Sequence, residues 1–82
     1  MEIRWHLNEL MVAYRKATGE PLLAVHLAKA AGLAPSTIHY MTHQFPVRIE
    51  LRSVGLLLAF FSQALGPLTT QDLIEFVNQP EE

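Results

Sequence analysis

The chain has no cysteine. Disulfides and thiolate metal sites are therefore excluded, and the expected compartment is the reducing cytoplasm. Charge is also scarce. Charged residues make up 17% of the chain, where about a quarter is usual. The formal net charge is −2, which argues mildly against a nucleic-acid partner. No apolar run exceeds Gly55–Phe61, far below the roughly 20 residues that cross a bilayer, so no membrane partner is expected. The first residues, MEIRWHLNEL, lack the basic-then-apolar order of a secretion signal. No internal repeat or low-complexity tract is present. No Ser-His-Asp set, carboxylate pair or glycine-rich phosphate loop stands at a useful spacing. Neither a catalytic site nor a cofactor is expected.

What the chain has is apolar side chains, 50% of its 82 residues. That length gives one domain, 1–82, with a modest core, because only about two-thirds of the unfolded surface is buried at this size. So apolar a composition implies surface covered by a second copy or a partner. The few charges are unevenly placed. Residues 21–71 carry Lys29, Arg48 and Arg52 against Glu50, whereas the acids gather toward the ends. A weakly basic middle can favour a phosphate backbone despite the acidic total.

Periodicity predicts a helical protein. Asn8 is the expected cap of a first helix that runs to about Thr18 and stops at Gly19. Leu7, Leu10, Met11 and Tyr14 form its apolar face. Glu20-Pro21 breaks the chain. A second helix is expected over about Leu22–Ala31, with Leu23, Leu27 and Ala30/Ala31 inward and His26 and Lys29 outward. Gly32 ends it. Pro35 suits the first turn of a third helix, which reaches about His43 with Ile38 and Met41 inward. Residues 44–49 form a loop. A fourth helix covers about 51–65 and ends at Gly66-Pro67. Its own core stripe is Leu51, Val54, Leu58, Phe61 and Leu65, with Leu57 beside it. Thr69 and Asp72 make a capping-box start for a short fifth segment. Ile74–Val77 is expected to pair as a strand with Ile3–Trp5, within one chain or across a dimer, and Asn78–Glu82 to fray.

The stretch Leu27–Met41 resembles the helix-turn-helix of the phage-repressor/Cro (XRE-type) family. Leu27-Ala28, Gly32, Leu33 and Ser36-Thr37-Ile38 carry the resemblance. Ile3-Arg4-Trp5, Arg48-Ile49-Glu50-Leu51 and Asp72-Leu73-Ile74-Glu75-Phe76 extend it over most of the chain. It implies an all-α fold, a compact four-to-five-helix repressor-like domain with its helix-turn-helix at about 22–43 and a short pairing of the termini. Departures stand beside the matches. Leu23 and Ala24 replace a Ser/Thr cap and a Gln, Ala34 replaces a Ser/Thr cap, and Pro35 replaces a frequent base reader.

The resemblance implies a sequence-specific regulator of transcription, most simply a repressor, that places the helix at 35–43 in the major groove. Pro35, Ser36, Thr37, His39 and Tyr40 are then the base-facing residues. None reads a base pair in bidentate fashion, so each discriminates modestly. Lys29, His43, Arg48 and Arg52 are the expected phosphate contacts. The histidines at 39 and 43 could also hold a metal from one helix face, but no third ligand is evident beyond a distant His26, so no metal is expected. With so few cations, binding calls for two copies. Leu56, Phe60 and Gln63 on the fourth helix's second face are the expected homodimer seam. A two-fold axis would set two recognition helices about 34 Å apart over a palindromic site of double-stranded DNA. The alternative is a helix-turn-helix module that binds a protein partner and binds DNA weakly or not at all. The acidic total, the lost caps and the uncharged third helix favour it.

Overall fold

The computed structural model describes residues 2–77. Its elements in chain order are β1 (Glu2–Trp5), α1 (Leu7–Thr18), α2 (Ala24–Ala31), α3 (Pro35–His43), α4 (Leu51–Leu65), a 3-10 turn η1 (Thr70–Asp72) and β2 (Ile74–Val77). Four helices and a two-stranded antiparallel ribbon thus make one small domain. None of these helices is long and apolar enough to cross a membrane.

The core is one cluster. α1 contributes Leu7 and Leu10, α2 contributes Leu27, Ala28 and Ala31, and α3 contributes Ile38 and Met41. Val54, Leu57 and Phe61 come from α4, and Leu73 comes from the segment before β2. α1 and α2 both pack on α4, and α3 packs on α2 and α1. The helix ends follow the glycines. Gly19 and Gly32 stand at φ +76° and +79°, a conformation that costs other residues a clash at Cβ. At Gly32 the following N–H, of Leu33, returns to the Ala28 carbonyl at 2.8 Å, which closes α2 as a Schellman turn.

Four details differ from the sequence reading. α1 is entered at His6, with no side-chain cap, and Asn8 instead donates from Nδ2 to the Thr42 carbonyl at 3.3 Å. The reason is the ribbon, which fixes the entry two residues earlier: the His6 N–H donates to the Leu73 carbonyl at 2.8 Å. Leu23 is the extended residue before α2 and is 56% exposed, so α2 begins at Ala24 and not at Leu22. Ala30 is likewise exposed, leaving Ala31 on the inner face. On α4 the buried line runs through Ser53, Leu57 and Phe61 together with Val54, and Leu51 is 87% exposed. Phe60 stacks on Tyr14 with centroids 5.3 Å apart, so α1 already covers part of the second face of α4.

The strands pair in one chain, with Ile3 opposite Phe76 and Trp5 opposite Ile74. Trp5 anchors the ribbon by donating its indole N–H to the Met41 carbonyl at 2.9 Å. The capping box at Thr69 forms, its N–H donating to Asp72 Oδ2 at 2.6 Å, but it opens a single 3-10 turn rather than a fifth helix. Asn78–Glu82 lies outside the described residues.

His6 sits where β1, α1 and β2 meet. Its Nδ1 faces the Glu9 carboxylate, and its Nε2 lies 2.8 Å from Glu75 Oε1. A neutral imidazole can donate from one nitrogen only, so two carboxylates favour the doubly protonated ring. The hydrogen bonds to Glu9 and Glu75 raise the pKa of His6 above 6.5. The sign of the linkage follows: this contribution is fully present below pH 6.5 and is lost as pH rises through the raised value. The melting temperature should therefore fall between pH 6 and pH 9, and Glu75→Gln should remove much of that fall. Parallel melting curves for the two proteins would contradict the assignment.

Candidate nucleic-acid interface

α3 exists because Pro35 fits its first turn and Ile38 and Met41 pin one side to the core. That leaves a polar outer side. Pro35, Ser36 and His39 are exposed, and Thr37 and Tyr40 are half-buried. Ser36, Thr37 and His39 thus share the outer face or its edge, and Pro35 joins them while also shaping the helix start.

Tyr40 is the exception. Its hydroxyl accepts the Val47 N–H at 3.0 Å, so it ties the loop after α3 back onto the helix. That bond could not be foreseen from spacing, because it depends on how residues 44–50 fold back. The tethered segment presents Arg48 beside Ser36 and Thr37 across a cleft between α3 and the start of α4.

The two histidines of α3 stack, with ring centroids 4.1 Å apart. His43 Nδ1 lies 3.0 Å from the His39 carbonyl. The Thr42 hydroxyl lies at the same 3.0 Å from this nitrogen, so Nδ1 is engaged within the helix and Nε2 is the nitrogen left for an outside partner. No group of three or more His, Asp or Glu side chains is placed to hold a metal among the described residues.

Lys29 and Arg52 are exposed on α2 and on the first turn of α4, and Arg48 is exposed on the loop between α3 and α4. Among the described residues the ion pairs are Arg4–Glu2, His6–Glu9 and His6–Glu75. Glu50 therefore binds neither of the arginines that flank it. Of the expected dimer residues, Gln63 is exposed, Leu56 is half-buried, and Phe60 lies against Tyr14.

Two features escaped the sequence reading. An apolar group at the start of α2, Leu23 and Val25, is 56% and 54% exposed. Ser53 is the buried polar residue of α4, only 3% exposed. Its place four residues before Leu57 and eight before Phe61 is the signal that could have found it. Set against models of known families, curated proteins and solved structures, the chain finds no match in any of the three.

Tyr40→Phe keeps the ring and removes the loop tether. It should cost about 1 kcal/mol or less and speed hydrogen exchange at the Val47 amide while α3 amides stay protected. An unchanged Val47 exchange rate would show that the tether holds nothing.

Proposed function

We propose that the chain is a double-stranded DNA-binding regulator of the repressor-like helix-turn-helix kind, acting as a homodimer through α3. The observation that carries this reading is the layout of α3. An outer face of small polar side chains, Ser36, Thr37 and His39, is bordered by Arg48 and backed by α2 through the Gly32 turn. Ser36, Thr37 and His39 contact base edges in the major groove, each with modest discrimination. Arg48, Arg52, Lys29 and His43 meet phosphates, which fix register without carrying sequence. Pro35 shapes the helix start and offers an apolar edge to a thymine methyl. Tyr40 acts chiefly by holding the loop that presents Arg48.

With so few cations, one copy binds weakly and a second copy supplies the rest. Leu51, 87% exposed on the first turn of α4, is the apolar surface this helix leaves most open. The dimer seam therefore moves toward Leu51 at the start of the helix and away from Phe60. Leu51→Ser, which adds no charge beside Arg48 and Arg52, should leave the fold intact, halve the mass in solution and weaken DNA binding. A wild-type protein already monomeric at micromolar concentration would contradict the dimer.

A second reading has its own observation. Leu23 and Val25 put apolar surface at the start of α2, where the resemblance leads one to expect a polar cap against phosphate. That surface suits a protein partner. Salt separates the two readings, because phosphate contacts weaken steeply with ionic strength and apolar contacts do not. Binding of the pure protein to a duplex from upstream of its own gene, against scrambled DNA, is the direct test. Arg48→Ala should weaken both duplexes alike, and Thr37→Ala with His39→Ala should erode the preference between them. No binding at low salt would reject DNA regulation.

A further inference from the structure

The hydroxyl of Ser53 has no task in the core. Other hydroxyls on these helices bond back to the preceding turn: Thr18 to the Tyr14 carbonyl, Thr42 to His39 and Ser62 to Ala59. Ser53 makes no side-chain hydrogen bond among the described residues, although it is 3% exposed and sits in line with Leu57 and Phe61. No side-chain polar atom among them is both sealed from solvent and unpartnered. Part of the slight exposure of Ser53 is therefore at its Oγ, and Ser53 lines a cleft with Ser36, Thr37, Tyr40, Arg48 and Glu50. Alanine would fill the same place in the helix without a hydroxyl to satisfy.

An independent feature meets it there. α4 begins without a side-chain cap: Glu50 occupies the capping position with extended backbone and makes no such bond. The first bond into the helix is from the Val54 N–H to the Glu50 carbonyl at 3.2 Å. The N–H groups of Leu51, Arg52 and Ser53 consequently have no acceptor within the helix. They stand at its positive end, on a helix of 15 residues, where anions are favoured. Arg48, on the cleft wall two residues before the cap, adds a full charge. The donors on the cleft wall are the Ser53 hydroxyl and the Arg48 guanidinium, and the N–H groups of Leu51, Arg52 and Ser53 stand in the helical turn that adjoins it. One carboxylate opposes them. Glu50 also lines the cleft, but it is exposed and lies between Arg48 and Arg52 in the chain.

We propose that the cleft between α3 and the start of α4 is an oxyanion site for a tetrahedral phosphate. The Ser53 hydroxyl forms its floor, the free N–H groups of residues 51–53 and Arg48 bind the oxygens, and Ser36 and Thr37 form the rim. Naming a DNA backbone phosphate as the source rests on the proposed function; a free phosphate offers the same chemistry. The site would fix α4, and with it the register of α3, to one strand.

The full chain, labelled with nitrogen-15, is titrated with inorganic phosphate and separately with a short duplex, with chloride at matched ionic strength as control. The amides of Leu51, Arg52 and Ser53 should shift saturably with phosphate and stay still with chloride. Ser53→Ala, which keeps the helix and the core volume, should weaken phosphate binding roughly tenfold. Arg48→Ala, a surface change that leaves the core untouched, should do so at least as strongly. On the duplex, Arg48→Ala should also reduce the slope of log affinity against log salt by about 1. If the duplex binds while these amides stay still in both titrations, the oxyanion site is wrong and the DNA reading stands. If phosphate moves them and no duplex binds at low salt, the site stands with free phosphate as its ligand and the DNA reading falls. Equal phosphate affinity in Ser53→Ala and wild type removes Ser53 from the site.

Discussion

The molecule hangs on one face of α4. Val54, Leu57 and Phe61 are the surface against which the chain buries itself, and α1 and α2 both pack on this helix. A chain this short has room for one core only. Each further element is positioned by its distance from that face. α3 is reached through α2 and α1, held by Ile38 and Met41, and so turns its remaining sides outward. The ribbon is reached through Leu7 and Leu73, both fully buried. Burying a Leu or Phe of this kind contributes roughly 1.5–3 kcal/mol, so few such residues hold the whole arrangement.

The cost of concentrating apolar groups in one place is visible at the helix starts. None of α1–α4 has a side-chain hydrogen-bond cap. Their first N–H groups face solvent or await an external acceptor. For α4 the acceptor we propose is a phosphate. For α2, where Leu23 stands at the capping position, no polar group is offered, and the exposed leucine speaks for a different kind of contact. The molecule's two readings thus divide along its helix ends.

Much of the fold was legible because its signals are local. Gly19 and Gly32 end helices that the apolar spacing had already marked, Pro35 opens α3, and Thr69 with Asp72 forms its box. The pairing of the termini could be read from alternation in both segments, although only the folded chain shows it to be intramolecular. Errors arose where a long-range contact overrode a local preference. Asn8 lost the capping position to His6 because β2 fixes the entry to α1. Leu51 was counted inside because it fits the spacing, yet it lies above the reach of α1 and α2. Phe60 has Tyr14 of its own chain as a stacking partner, a contact that helical spacing alone does not reveal. The outer face of α3 was legible from helical period alone, whereas the Tyr40 tether and the open Ser53 hydroxyl needed the loop and cleft in three dimensions.

The ribbon has a kinetic side as well. It joins Glu2 to Val77, segments from opposite ends of the sequence, whereas α2 and α3 meet across a few residues of turn. Closing a loop of that length costs more than closing the turn between α2 and α3, so the ribbon is expected to form after the helix-turn-helix unit. Until it closes, β1 and β2 leave their edges open to the matching strand of a neighbour. High concentration during folding favours exchange of that strand between copies, a route to swapped dimers that uses no contact absent from the monomer.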